Sequence, residues 1–480
     1  MRLGAILFTL GYGGCMIALL MVLPWIASLL DPTFAHAGNF TIGLMLTTFV
    51  SGALLLSGYT SRRHRANGIE LLLIMVLYWS FLPAIAAIPF IGASQIDGLV
   101  AAYFEAVSAL TTSGATMLAV PQVEAKPILL WRAALSWLGG LWTLVFAVAV
   151  LAPFGIGGIT LIGSPLLQHE ENAPLSSRLG RPLRLILPVY LMFSALGIIA
   201  LTAFGSPLID AFCLALSAIS TSGMGVHELS LAEILSGGGQ GVMALLCLIG
   251  SISVPMLMVL TLGREARSSF QLTELRVFLA LIIAYAVITV FAVPNSGGVS
   301  ALWQSISLHS TAGFNFMPDA GLAQWPIVWV MLPVLIGGMA LSTSGGVKVM
   351  RAIILAKDLG SELGKLSYPS SVHPLSLEGR PLQDRDFNAA WAYMAIFILF
   401  VSLGVLLLGL FGTTLADAWP IVLGALTNSL AITGHLDMPL GFAAMPDALQ
   451  ITIALLMIAG RIELLILMVL FTSSFWRYMR

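Results

Sequence analysis

Ser108-Ala109-Leu110-Thr111-Thr112-Ser113-Gly114 closes an apolar run too short to cross a bilayer, and the construction returns three more times along the chain. The other copies are Ser217-Ala218-Ile219-Ser220-Thr221-Ser222-Gly223, Ser307-Leu308-His309-Ser310-Thr311-Ala312-Gly313 and the more distant Asn428-Ser429-Leu430-Ala431-Ile432-Thr433-Gly434. Aligned on glycine, three copies share a serine six residues upstream and a threonine two upstream. An isolated Thr-Ser-Gly cluster marks a helix end or close helix packing, because small residues are common where membrane helices meet. Four copies, each between a half-length apolar run and a full-length one, point to exposed backbone placed repeatedly at membrane depth. Such backbone is tolerated only where it is buried in protein or lines water.

Composition sets the solvent. Of 480 residues, 59% are hydrophobic and 9% charged, against about a quarter charged in soluble domains. Stretches of about 20 apolar residues, enough to span a bilayer, lie at roughly 3–29, 39–58, 69–90, 127–151, 182–204, 239–262, 272–293, 325–355, 387–411 and 447–472. The half-length runs lie at about 97–110, 207–219, 299–309 and 415–429, lengths that suit re-entrant segments. The expectation is an all-α integral membrane protein with ten transmembrane helices. Eight of them form four channel-like repeats of helix, pore loop and helix around one pore. The segment 1–68 supplies two extra N-terminal helices, and the repeats occupy 69–163, 164–271, 272–386 and 387–480. The run from Leu3 to Leu29 exceeds a signal-peptide core and lacks a small-residue cleavage motif before the next span, so it reads as a retained helix.

Charge gives the expected orientation. Alternating spans gather Arg2, Arg62, Arg63, Arg65, Arg178, Arg181, Arg184, Arg264, Arg267, Arg276, Lys357, Lys365, Arg380, Arg385, Arg477 and Arg480 on one face. That face is cytoplasmic by the positive-inside rule, with both termini on it. The opposite face keeps Lys126 and Arg132 but holds Asp31, Asp97, Glu105, Glu124, Asp210, Glu228, Glu233, Asp319, Asp417, Asp437 and Asp447. Unpaired, those carboxylates would concentrate cations at an outer mouth; equally, translocated loops simply lack Lys and Arg. The basic inner loops near 59–68, 178–184 and 264–276 suit a protein partner or anionic lipid headgroups. The three cysteines, Cys15, Cys213 and Cys247, have no metal-like spacing and read as packing residues.

The repeat has an electrostatic consequence. Each half-span helix enters from outside and points its partly negative C-terminal end into the membrane. Four such ends on one axis favour a cation, and the loop carbonyls after them can replace its hydration shell. Further on, Gly337, Gly338, Ser342, Thr343, Ser344, Gly345 and Gly346 weaken the long helix after the third loop. An unwound segment near 339–350 is expected. Lys348 has two readings, the inner side of the pore or a side chain reaching the cytoplasm. Arg461 falls near the middle of the last span, where a charge needs a cavity or a partner. Glu463, two positions on, points elsewhere on a helix.

No phosphate-cradling Gly-Lys-Thr motif is present, so the chain binds no nucleotide itself, and no His/Asp/Glu or Ser/His constellation supports an enzyme. The rival reading is a secondary transporter of an organic solute, or a sodium-coupled symporter, with discontinuous helices at the midplane. Such transporters are built from inverted or paired repeats, whereas these four share one direction.

The chain resembles the Trk/Ktr-type potassium uptake family, most closely its TrkH and TrkG membrane subunits. The likeness is carried by Phe104-Glu105-Ala106-Val107-Ser108, Trp137-Leu138-Gly139-Gly140, Phe154-Gly155-Ile156-Gly157-Gly158, Ser342-Thr343-Ser344-Gly345-Gly346-Val347-Lys348, Gly460-Arg461-Ile462-Glu463 and Phe471-Thr472-Ser473-Ser474-Phe475-Trp476-Arg477. The resemblance implies potassium uptake across the bacterial inner membrane. It implies a selectivity filter of Thr111, Thr112, Ser113, Gly114, Ser220, Thr221, Ser222, Gly223, Ser310, Thr311, Ala312, Gly313, Ile432, Thr433 and Gly434. Potassium would sit at Thr112, Thr221, Thr311 and Ile432, with glycine rather than serine at Gly114 favouring potassium over sodium. A gate of Gly345, Gly346, Lys348 and Arg461 is implied, as are a homodimer, a cytosolic TrkA-like nucleotide-binding subunit, contact with membrane lipid, no nucleic acid and no organic cofactor. The fourth copy departs from the Asn-rich Gly-Pro-Gly stretch of this branch, and His435 beside it has two readings, a source of pH-sensitive conduction or a bystander at the loop mouth.

Overall fold

A segment that crosses a bilayer must satisfy its own backbone, so runs of apolar residues in this chain become helices. The computed structural model describes residues 3–31, 36–61, 68–93, 96–118, 121, 124–151, 175–227, 229–262, 269–293, 297–318, 321–367, 375–377, 380–435 and 441–470. The motifs at 154–158 and 471–477 lie outside the described residues. So do Arg2, Arg62, Arg63, Arg65, Glu228, Arg264, Arg267, Asp319, Asp437 and Arg480 of the charge reading.

The helices are α1 (Leu3–Leu30), α2 (Ala37–Gly58), α3 (Gly68–Ala86), α4 (Leu99–Leu110), α5 (Lys126–Phe146), α6 (Leu175–Ala203), α7 (Leu208–Ile219), α8 (Gly237–Ser251) and α9 (Val254–Leu262). They continue as α10 (Ser269–Ala292), α11 (Gly298–His309), α12 (Ile327–Ile336), α13 (Val349–Ser367), α14 (Asp384–Leu410), α15 (Leu415–Leu426), α16 (Asp447–Ile462) and α17 (Leu464–Leu470). Single helical turns decorate the connections, and a two-residue antiparallel pair, Ser376–Leu377 with Arg380–Pro381, lies between α13 and α14.

Among the described residues, seven helices are long and apolar enough to cross a membrane, which makes this a multi-pass membrane protein. Three of the ten expected spans are not continuous. The span expected at 239–262 breaks between α8 and α9, where Ile252 is extended and Pro255 has no amide to continue the ladder. The one at 325–355 breaks from Gly337 to Lys348, close to the expected unwound stretch. The one at 447–472 breaks at Glu463, whose φ is 73°.

Two breaks satisfy each other. The Met339 amide donates to the Ser251 carbonyl at 3.0 Å, the Thr343 amide to the Gly250 carbonyl at 3.1 Å, and the Val254 amide to the Leu341 carbonyl at 3.0 Å. The carbonyls that α8 would otherwise leave orphaned at membrane depth therefore have partners. Within the loop, Val347 and Lys348 donate back to the Leu335 and Ile336 carbonyls at 2.9 and 2.8 Å.

The four short helices α4, α7, α11 and α15 are each 12 residues long, about 18 Å and half a bilayer. They sit inside the shell of longer helices. Helix α5 is the central wall: from Pro127 to Phe146 every residue but Thr143 is buried. By contrast α14 and α2 keep most of their apolar side chains on the outside, where lipid would meet them. The pair α1 and α2 packs together and against α3 and α5.

Three helices that follow the short ones press a glycine onto the end of their short partner. A Cβ at Gly139 would collide with the Leu110 carbonyl, one at Gly250 would lie 2.5 Å from the Ile219 carbonyl, and one at Gly460 would collide with the Leu426 carbonyl. These approaches fix the depth at which α4, α7 and α15 end. Gly139→Ala should destabilise the protein by about 1–3 kcal/mol, read as a lowered melting temperature in detergent. Gly52→Ala, where nothing lies within 4 Å, should melt like the wild type.

Candidate functional site

Each short helix terminates in the same way. The amides of Thr111, Ser220, Ser310 and Thr427 still reach back four residues, to the carbonyls of Val107, Leu216, Ile306 and Leu423. The next residue turns left-handed: Thr112, Thr221, Thr311 and Asn428 have φ of 55°, 54°, 58° and 50°. A β-branched threonine in that region is strained and persists only where its surroundings impose it. The amides of Ser113, Ser222, Ala312 and Ser429 then fold back onto the carbonyls of Ser108, Ser217, Ser307 and Gly424, at 2.9, 3.0, 3.1 and 2.8 Å.

This shared geometry corrects the register of the fourth copy. Its short helix ends at Leu426 and not near 429, so Thr427-Asn428-Ser429-Leu430 is the counterpart of Thr111-Thr112-Ser113-Gly114. The left-handed position belongs to Asn428, not Ile432, and the upstream serine position to Gly424, not Asn428. Gly434 and Thr433 lie further out, at the end of a tight helical turn spanning Leu430–His435. A Cβ at Gly434 would meet none of the described residues within 4 Å.

The loops touch in cyclic order. A Cβ at Gly114 (φ 78°) would collide with the Ser222 carbonyl, and one at Gly223 (φ 69°) with the Ala312 carbonyl. One at Gly313 (φ 76°) would lie 2.9 Å from the Ile432 amide nitrogen, and the Ala431 amide donates to the Ser113 carbonyl at 3.0 Å, closing the ring. Glycine serves the first three positions twice, by allowing positive φ and by letting the next loop's backbone approach.

Behind the ring stand residues whose role the sequence did not disclose. Glu105 accepts from the Met117 amide at 2.8 Å and from Thr116 Oγ1 at 3.0 Å, and Arg132 Nε lies 3.7 Å from it. Arg132 Nη2 donates to the Gly225 carbonyl at 2.7 Å, tying the first loop to the second. Gln304 occupies the same place behind the third loop, accepting from the Phe316 amide at 2.7 Å. Glu105 and Gln304 each stand three residues before the aligned serine, a spacing that would have found them. Both Glu105 and Arg132 are buried, so neither belongs to an exposed outer face.

The expectation of an outer mouth of unpaired carboxylates is corrected further. Glu124 lies 3.8 Å from His36, Asp210 3.3 Å from His227, Glu233 accepts from the Ser230 amide at 3.0 Å, and Asp417 accepts from Thr414 at 2.6 Å. Those four carboxylates are engaged by neighbouring side chains or backbone and do not stand unpaired. What lies outside the ring is a cavity of about 280 Å³ whose wall includes Gly114, Gly223, Asn315, Ala431, Thr433 and His435.

On the inner side the 337–348 loop presses against the ring. The Gly345 amide donates to Thr311 Oγ1 at 2.7 Å, Thr221 Oγ1 donates to Thr343 Oγ1 at 3.2 Å, and a Cβ at Gly345 would collide with the Thr427 carbonyl. Thr112 Oγ1 is buried with no hydrogen-bond partner among the described residues. Arg461 donates from Nη1 to the Thr343 carbonyl at 2.9 Å, anchoring the loop rather than pairing with an acid. Glu463 pairs instead with Arg351 at 2.7 Å, and the Arg351 guanidinium lies 3.8 Å over the Tyr393 ring. Lys348 turns back onto the Ser344 carbonyl and the Ser342 hydroxyl, so its side chain stays with the loop. Gly346, with φ 82°, completes the turn against Gly337. Glu274 of α10 accepts from the Ala340 amide at 2.7 Å.

The profile of the TrkH family, described as cation transport protein, matches residues 36–297 and 269–478. A Trk system potassium uptake protein TrkH of Salmonella typhimurium is 29% identical over 420 residues, covering 84% of this chain and 85% of that one. One from Halomonas elongata is 28% identical over 494 residues, covering 99% and 100%. The crystal structure of the potassium transporter TrkH from Vibrio parahaemolyticus superposes with a TM-score of 0.86 at 25% identity, covering 99% of this chain and 100% of that one.

Removing one member of the Glu105 and Arg132 pair leaves the other charge buried and uncompensated. Glu105→Ala should cost about 3–5 kcal/mol, seen as loss of a folded, monodisperse protein in detergent. Glu105→Gln keeps an acceptor for Met117 and should melt between the two; a wild-type melting temperature for Glu105→Ala would contradict the assignment.

Proposed function

The chain belongs to the TrkH family of cation transport proteins, and from that premise we propose that it takes potassium into a bacterial cell across the inner membrane, with both termini cytoplasmic. The single observation that carries this reading is the closed ring of four loops. Each follows a 12-residue helix and each opens with a left-handed residue. Four helix C-termini aimed at one point favour a cation, and loop carbonyls held open by glycine can replace its water.

The proposed filter consists of 111–114, 220–223 and 310–313, with 427–431 in place of the stretch ending at Gly434. Thr112, Thr221 and Thr311 would line the inner end of the potassium path, with Asn428 taking the position first given to Ile432. We propose four repeats at 69–163, 164–271, 272–386 and 387–480, after a two-helix N-terminal segment at 1–68. Below the filter, the 337–348 loop would act as the gate. Arg461 holds it by the Thr343 carbonyl, and its positive charge opposes passage of a cation until it moves. Lys348, folded onto the same loop, adds a second charge there. The relatives named above are Trk system proteins, which favours a multi-component assembly. We propose a homodimer with a TrkA-like cytosolic subunit received on the basic inner face.

Expression in a bacterium lacking potassium uptake should restore growth at limiting potassium, and failure with the protein present in the membrane would count against the reading. Gly223→Ser, which sets a side chain against the Ala312 carbonyl, should lower potassium over sodium discrimination about tenfold, equivalent to ~1.4 kcal/mol. Unchanged selectivity in reconstituted vesicles would remove Gly223 from the filter. Arg461→Ala should raise basal rubidium flux severalfold, because the loop loses its anchor, whereas equal flux at equal expression would give Arg461 a purely structural role.

A further inference from the structure

The fourth loop differs from the other three in what it does at the ring. Where loops one to three place a glycine with positive φ, the fourth has Leu430, which is fully buried and begins the Leu430–His435 turn instead. A leucine does not adopt the glycine conformation without strain, so the chain winds onward where its counterparts unfold. The turn is pinned by Thr433 Oγ1 donating to the Leu430 carbonyl at 2.6 Å.

Winding brings Ala431 inward. Its methyl carbon would lie 2.6, 2.5 and 3.1 Å from a Cβ placed on Gly114, Gly223 and Gly313. One methyl thus stands where all three glycines converge. The Ala431 amide also engages the Ser113 carbonyl, the residue position whose carbonyl in the second and third loops lies against the neighbouring glycine. Ala431 and both Gly114 and Gly223 line the cavity of about 280 Å³ outside the ring. Ala431 thus sets a methyl group into the wall of that cavity where it meets the ring.

We propose that Ala431 sets the rate of cation passage: its methyl closes the floor of the outer cavity at rest, and the Leu430–His435 turn withdraws to admit a dehydrated monovalent cation. This rests on the filter reading given above and adds to it a second barrier, outside the 337–348 loop. A Cβ at Gly434, near the outer end of the turn, would meet no described residue within 4 Å.

The test uses the full chain in proteoliposomes, with rubidium uptake driven by a membrane potential. Wild type, Ala431→Gly, Ala431→Val and Gly114→Ala are compared after each is shown to melt cooperatively. Severalfold faster uptake by Ala431→Gly with slower uptake by Ala431→Val is the expected result. It would stand even if the wild type were nearly silent. Equal uptake by wild type and both Ala431 variants, while Gly114→Ala abolishes it, would overturn the role of Ala431 and leave the filter in place. No uptake by any folded variant would overturn both. Should Ala431→Gly not fold, Ala431→Val decides alone: slower uptake supports the proposal and unchanged uptake overturns it.

Discussion

Backbone amides and carbonyls released at membrane depth must find partners inside the protein, because hydrocarbon offers none. This chain releases them at the ends of four short helices and at three breaks in longer ones. The architecture follows from how those groups are satisfied. The carbonyls of Gly250 and Ser251 are taken by amides of the 337–348 loop, and the Leu341 carbonyl by Val254. Each short helix folds its own exit back onto its last turn. Where the backbone cannot supply a partner, a buried side chain does: Glu105 and Gln304 behind the ring, Glu274 under Ala340, and Arg461 on Thr343.

The second constraint is close approach. Backbones in the ring meet at distances that no Cβ would allow at Gly114 or Gly223, and the helices behind them press glycines onto the short helices. A ring this tight tolerates little variation, which gives the fourth loop its consequence. With Leu430 in the glycine place and Ala431 turned inward, three loops present carbonyls to their neighbours and the fourth presents a methyl. The pseudo-fourfold arrangement in the proposed function is thus an asymmetric one. The other side is asymmetric too, since among the described residues a loop presses on the ring only after the third short helix.

Much of this was legible in the sequence. The half-length apolar runs foretold the short helices to within two residues in three cases, because an abrupt change from apolar to Thr/Ser/Gly leaves little freedom in where a helix stops. The density of Gly and Ser from Gly337 to Gly346 foretold the long break. The fourth register was not legible from glycine alone: Gly434 is the glycine that follows α15, and it stands beyond the ring. The better signal was the polar triplet Thr427-Asn428-Ser429 directly after an apolar run, which matches Ser220-Thr221-Ser222 in place and kind. Partners distant in sequence, such as Arg351 with Glu463 or Arg132 with Gly225, leave no local pattern. They arise only when segments far apart in the chain close on one another.

The central claim is that a monovalent cation is bound on the axis of the four loops. Anomalous diffraction from crystals grown in rubidium tests it most directly. A peak is expected on the axis enclosed by residues 111–114, 220–223, 310–313 and 427–431. Rubidium bound elsewhere in the protein, with none on that axis, would contradict it.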